Sequence, residues 1–214
     1  MTKLRLDISM SLDGFVAGPD RTVEAPLGEG GMQLHEWVFG LATWMESHGV
    51  EGEGATGPDD DLIKEQIAQP GAVLMGRRMF SGGEGAWEDD PMANGWWGDS
   101  PPFHMSVFVL THHAREPLVL GDTTFFFATD GVESALEQAR AAAGEKDVAV
   151  AGGANVVQQC LRAGLLDELQ VHIAPVLLGR GVRLFADGEQ GKLEIMRVVG
   201  SPTVTHIKYR VVRA

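Results

Sequence analysis

The stretch Val148-Ala149-Val150-Ala151-Gly152-Gly153-Ala154-Asn155-Val156 decides how the chain is read. Val148-Ala149-Val150 is apolar without alternation, which suits a strand covered on both faces. Val156, Val157, Cys160 and Leu161 then fall on one stripe at helical spacing. A strand that passes through Gly-Gly into a helix is a βα unit. Its paired glycines let a backbone come close to a ligand. Their N–H groups and the helix start would cradle a phosphate. A plain βα turn with no ligand uses the same residues, and the two readings stay open at this point.

Similar strands flank this unit. Val73-Leu74-Met75, Val107-Phe108-Val109-Leu110 and Phe125-Phe126-Phe127 are apolar on both faces. Leu4, Leu6, Ile8 and Met10 alternate with polar residues, as do Leu169, Val171 and Ile173 and then Thr205, Ile207, Tyr209 and Val211. Helices lie between them. Leu62, Ile63 and Ile67 follow Asp59-Asp60-Asp61, which suit a helix start. Val132, Ala135, Leu136, Ala139 and Ala143 follow Asp130, and Glu133 completes the pattern of a capping box. The expected order is β, a helical region, α, β, α, a loop, β, β, α, β, α, then three strands with a short break. That is an α/β domain with a mixed sheet. At 214 residues, a single domain over 1–214 is expected.

Composition narrows the function. The net charge is −13, with 18 acidic against 6 basic residues in 1–100 and 12 against 11 in 101–214. An acidic chain without a basic patch argues against nucleic acid and anionic membrane as partners. No apolar run reaches the length of a membrane span, and the N-terminus lacks a secretion-signal core. The one cysteine, Cys160, excludes an internal disulfide framework, so a cytoplasmic location is expected. Gly52-Glu53-Gly54-Ala55-Thr56-Gly57 fits a dinucleotide fingerprint, but no strand precedes it and three aspartates follow it. No metal site is expected.

Three further motifs stand at strand ends, where ligands gather in open α/β sheets. Gly76-Arg77-Arg78 follows a buried strand. Two arginines there oppose the helix dipole, and a nearby anion would explain them; two solvated surface arginines are the alternative. Thr111-His112-His113 with Arg115 offers a cationic cluster for a phosphate monoester such as a 2′-phosphate. Ser11-Leu12-Asp13-Gly14 closes the first strand. Asp13 either holds the turn or presents a carboxylate to a cleft.

Taken in order, Ser11-Leu12-Asp13-Gly14, Met75-Gly76-Arg77-Arg78, Gly152-Gly153-Ala154-Asn155 and the stretch from Gly164-Leu165-Leu166-Asp167-Glu168-Leu169 to Pro175-Val176-Leu177-Leu178-Gly179-Arg180-Gly181 resemble the dihydrofolate reductase superfamily. The resemblance is closest to the reductase domain of the riboflavin-biosynthesis deaminase-reductase and to stand-alone bacterial relatives, and it covers essentially the whole chain. It implies a three-layer fold, a central mixed sheet with helices on both faces, NADPH as cofactor and a homodimer. By that resemblance Gly76, Arg77 and Arg78 hold phosphate near the adenosine. Thr111, His112 and His113 lie by the ribose and its 2′-phosphate. Gly152, Gly153, Ala154, Asn155 and Val156 hold the pyrophosphate, and Asp13 through Ala17 and Gly18 pass near the nicotinamide. The chain departs from the riboflavin-pathway pattern at Phe15, where a lysine usually follows Asp-Gly, and it has no deaminase half.

The expected activity is an NADPH-dependent reductase acting on a small planar substrate. Asp13 and Glu36 are the candidate proton donors. Trp37 and Trp87, in or beside loops, could stack on a flat substrate, although core burial explains a single tryptophan equally well. A non-catalytic nucleotide-binding module and a true dihydrofolate reductase are the alternatives.

Overall fold

The structure, a computed structural model, describes residues 2–68, 70–83 and 85–213. Its strands are β1 (Leu4–Ser11), β2 (Phe15–Ala17), β3 (Pro70–Gly76), β4 (Ser106–Leu110), β5 (Leu118–Leu120), β6 (Thr123–Ala128), β7 (Asp147–Gly152), β8 (Glu168–Ala174), β9 (Val182–Arg183), β10 (Lys192–Gly200) and β11 (Thr205–Val212). Its helices are α1 (Glu36–Phe39), α2 (Ala42–Ser47), α3 (Pro58–Ala68), α4 (Arg77–Ser81), α5 (Gly131–Ala143) and α6 (Ala154–Arg162). Nine strands form a mixed sheet in the order β10-β11-β8-β1-β7-β3-β4-β6-β5. The α/β class and the helix-flanked mixed sheet are therefore as the sequence leads one to expect. Among the described residues, no helix is long and apolar enough to cross a membrane.

The chain divides into two compact units. Unit 1 comprises 1–6, 22–26 and 70–167; unit 2 comprises 7–21, 27–69 and 168–214. In unit 1 the start of β1 and β7, β3, β4 and β6 run parallel, and β5 turns back on β6. Side chains alternate across a strand, so Val73 and Met75 point to one face and Ala72 and Leu74 to the other. The first face gathers Val107, Val109 and Phe125 with Phe80 of α4. On the second lies α5, which packs on β3 and β4 through buried Val132, Ala135, Leu136 and Ala139. Each such Val or Leu contributes about 1.5–3 kcal/mol by leaving water. The expected capping box is not made: Asp130 occupies the cap position of α5 with no side-chain bond to it.

In unit 2, β8, β11 and β10 are antiparallel, with His206 opposite His172, Lys208 opposite Gln170 and Arg197 opposite Lys208. These polar residues share a face, and α3 lies on it: Asp59 bonds His206, and Glu65 meets Arg197 and Lys208. The opposite face carries Ile207, Tyr209 and Val211 of β11 beside Leu193, Ile195 and Val198 of β10. Ile195 is 66% exposed and Val198 56%. One apolar cluster of the unit comprises Trp37, Val38, Leu41, Ile63 and Val204. Ile67, read as part of α3's apolar stripe, is exposed.

A candidate nucleotide site at parallel strand ends

The ends of β3, β4 and β7 lie level in unit 1, since Met75 pairs with Gly152 and Gly76 with Leu110. Three of the motifs singled out in the sequence thus meet at one edge. Gly76 and the Gly152-Gly153 turn touch: a Cβ at Gly76 would stand 3.2 Å from Val156 Cγ2 and 3.7 Å from the Gly153 nitrogen. Gly152 has φ 133°, which side chains disfavour, and its peptide bond to Gly153 is cis. A Cβ on Gly153 would meet nothing within 4 Å. Gly153 also precedes α6, whose first turn has no side-chain cap. An open backbone surface thus lies directly before an uncapped helix start, the arrangement that receives an anion.

The other residues of this edge divide. His112 is exposed. Thr111 is buried, and its Oγ1 accepts the His113 N–H at 3.1 Å. Ala154 and Val156 are buried. Asn155 is exposed, and its Oδ1 accepts Gln159 Nε2 at 2.5 Å. Cys160 of α6 is no nucleophile, since burial and then Glu133 push its thiol to about 12.

Arg77 is a correction. It is 7% exposed and pairs with Asp90 at 2.5 Å. It also bonds Ser81 Oγ and lies 3.6 Å from the centre of the Trp87 ring. Burial pushes the Asp90 carboxyl up, but the Ser81 hydroxyl, the Met92 amide and the Arg77 guanidinium outweigh it and hold it below its ordinary value. A guanidinium so engaged holds unit 1 together and leaves phosphate to other groups; its neighbour Arg78 is exposed. Arg115 is engaged as well, with the Ala93 carbonyl and Asn94. Trp87 is the second correction. Arg77 covers its ring, Phe80 and Phe127 pack on it edge-on, and its Nε1 donates to the His113 carbonyl at 2.7 Å. It builds the loop instead of stacking on a substrate.

The remaining candidates lie in unit 2. Asp13 accepts the Ser11 hydroxyl at 2.6 Å and the amides of Leu178 at 3.1 Å and Gly179 at 2.7 Å. The Ser11 bond, then the Gly179 and Leu178 amides, outweigh burial and lower its carboxyl from 3.8. A proton donor needs the opposite shift, so Asp13 is a clamp on the 176–181 turn. Glu36 is exposed in the first turn of α1. Trp37 is 8% exposed, bonded to Ser9 Oγ at 3.0 Å and packed on His172 and His206, which again leaves no ring face for a planar ligand. Ala17 is buried in β2, and a Cβ at Gly18 would run into the Glu29 carbonyl, so local packing already requires a glycine there. Sequence reasoning missed the buried pair His172 and His206. Their signal was present in the alternation: Gln170-x-His172 and His206-x-Lys208 occupy the positions between the apolar residues.

Comparison with known proteins adds the family. The RibD C-terminal domain matches residues 2–207. The uncharacterized protein YyaP of Bacillus subtilis (strain 168) is 33% identical over 194 residues, 88% of this chain and 82% of that protein. Among solved structures, a protein from Shewanella sp. PV-4 assigned provisionally to riboflavin biosynthesis aligns over 100% of both chains with TM-score 0.66 and 20% identity. A diaminohydroxyphosphoribosylaminopyrimidine deaminase/5-amino-6-(5-phosphoribosylamino)uracil reductase of Thermotoga maritima aligns with TM-score 0.60 and 16% identity, over 99% of this chain and 57% of that one. A riboflavin biosynthesis reductase of Saccharomyces has TM-score 0.53 and 15% identity over 99% and 89%.

Proposed function

Because the chain belongs to the RibD C-terminal domain family, we propose that it is a cytoplasmic reductase that binds NADPH at the ends of β3, β4 and β7. Its substrate is a small planar molecule of the pyrimidine, pterin or flavin-precursor kind. The observation that carries the reading is the open surface at Gly153 before the uncapped start of α6, which fits a pyrophosphate. Gly76 and the 152–156 turn would hold that group. Exposed His112 and Arg78 are the side chains assigned to a 2′-phosphate. When bound, the nicotinamide supplies hydride, and the protein orients it. The test is titration with NADPH and NADH, followed by NADPH oxidation against pyrimidine, pterin and dihydrofolate substrates. Binding of NADPH about 10–100-fold tighter than NADH, the worth of one charge-assisted bond, supports the reading; no binding of either refutes it.

The clamped Asp13 and exposed Glu36 favour a second reading, a nucleotide-binding module without turnover. Cofactor binding with no oxidation across the panel would select it. We also propose that the open apolar face of β10 and β11 is covered by a second copy of the chain. Contiguous exposed apolar strands call for a partner. Light scattering should give about twice 23.0 kDa.

A further inference from the structure

Asp7, His172, His206 and Asp59 form a continuous row inside unit 2. His172 Nε2 bonds Asp7, His172 Nδ1 stands 2.5 Å from His206 Nδ1, and His206 Nε2 stands 3.0 Å from Asp59 Oδ1. Both imidazoles are 2% exposed. The Trp37 ring closes over them at 4.7 and 5.0 Å. Gln170 Nε2 donates to the other Asp7 oxygen at 2.9 Å.

Hydrogen-bond chemistry fixes the proton count. Ionised carboxylates only accept, so each Nε2 carries the proton given to its aspartate. The two Nδ1 atoms then face each other. With no proton between them, two lone pairs collide. With one, they form an N–H···N bond. With two, N–H points at N–H across a gap that has no room for both. Only the one-proton form fits the contact. The charges around the row agree. Four carboxylates face it: Asp7, Glu168 of β8, and Asp59 and Glu65 of α3. The cations there, Lys208 of β11 and Arg197 of β10, pair with Glu65 and Glu168, while Lys64 of α3 turns to Asp60 and Asp61. The shared proton is the positive charge that answers Asp7 and Asp59.

We propose that this row is a one-proton latch. It ties the first turn of α3 to β11, β8 and β1 at neutral pH, and a second proton, taken up in mild acid, separates the two rings and releases α3. Burial, and then the charge of His172, hold His206 below its ordinary value, against the opposing pull of Asp59 and Asp7. Burial and His172 also lower His35, which stands before Trp37. The sign follows from linkage. The closed form holds one shared proton, whereas two free imidazoles together hold nearly two well below about 6.5, the ordinary histidine value. In acid the closed form therefore binds fewer protons, and its stability falls as pH drops below about 6.5 towards the lowered value of His206.

The test is hydrogen exchange of α3 in the full chain at about pH 6.5 and about pH 5, at and below the ordinary histidine value, with nitrogen NMR of the imidazoles. One Nδ1 proton shared by the pair is expected at the higher pH. Exchange of α3, corrected for its intrinsic rate, should rise up to about tenfold per pH unit, the limit for one proton. In His206→Gln and His172→Gln the dependence should largely disappear. The latch is overturned if wild-type α3 is equally protected at both pH values. It is also overturned if the folded pair holds none or two Nδ1 protons, or if the acid opening persists unchanged in the variants. Should both variants fail to fold, the wild-type profile and proton count decide alone.

Discussion

In unit 1 the strands β3, β4, β6 and β7 are sheathed in hydrocarbon, with Phe80 and the 82–105 aromatics on one side and α5 on the other. In unit 2 the helix lies on the polar side of β8, β10 and β11, and the apolar side is left open at Ile195 and Val198. The contrast shows where each part can be flexible. A sheet packed in hydrocarbon tolerates few changes and makes a rigid base for glycine turns. A sheet joined to its helix through ion pairs and imidazoles responds to protons, and its open side needs another surface.

The largest break should come in unit 1. Arg77→Ala leaves Asp90 charged and buried, so unfolding in denaturant should show a loss of about 3–5 kcal/mol, as for other broken buried pairs. Arg78→Ala, next to it and exposed, should stay within about 0.5 kcal/mol. Equal effects would mean that Arg77 is not the structural member of the pair. In unit 2, Ile195→Lys should leave the protomer's melting unchanged and weaken self-association by about a hundredfold or more, the scale of like charges opposed across an interface. Sedimentation as a dimer at the wild-type concentration dependence would exclude β10 from the interface.

The smallest effect is expected at Asp13. Asn leaves one acceptor oxygen for two amides, Leu178 and Gly179, so the 176–181 turn loosens, but turnover should change by only a few-fold, against the ~10²–10⁴-fold loss expected if Asp13 were a general acid. Its carboxyl is lowered from 3.8 by Ser11 and the Gly179 and Leu178 amides. The clamp is therefore intact above about 3.8 and lost as pH falls through the native value; exchange of the 176–181 amides reports it.

Unit 1 was legible because its strands are apolar runs and its glycines sit where runs end. The residues at its edge were legible in kind, but not in duty. Arg77 and Arg78 are identical in sequence terms, and only the fold brings Asp90 and Trp87 to one of them. Trp87 and Trp37 read as loop tryptophans because the loops that bury them have no periodicity. In unit 2, β10 hides its pattern: a bulge between Ile195 and Arg197 shifts the alternation, and its apolar side faces outward. The alternation marks His172 and His206 as polar positions of their strands, but not as a pair, because they lie 34 residues apart and meet only through the antiparallel register.

The central claim is that the Gly152-Gly153 turn and the start of α6 hold the cofactor, and Gly153→Val tests it most directly. The added side chain meets no protein atom near its Cβ, so the variant should melt as the wild type does. It would fill the surface offered to the pyrophosphate, and NADPH titration by tryptophan fluorescence should show affinity weakened by about a hundredfold or more, the loss of two charge-assisted bonds. A variant that melts normally and binds NADPH as tightly as the wild type would contradict the account.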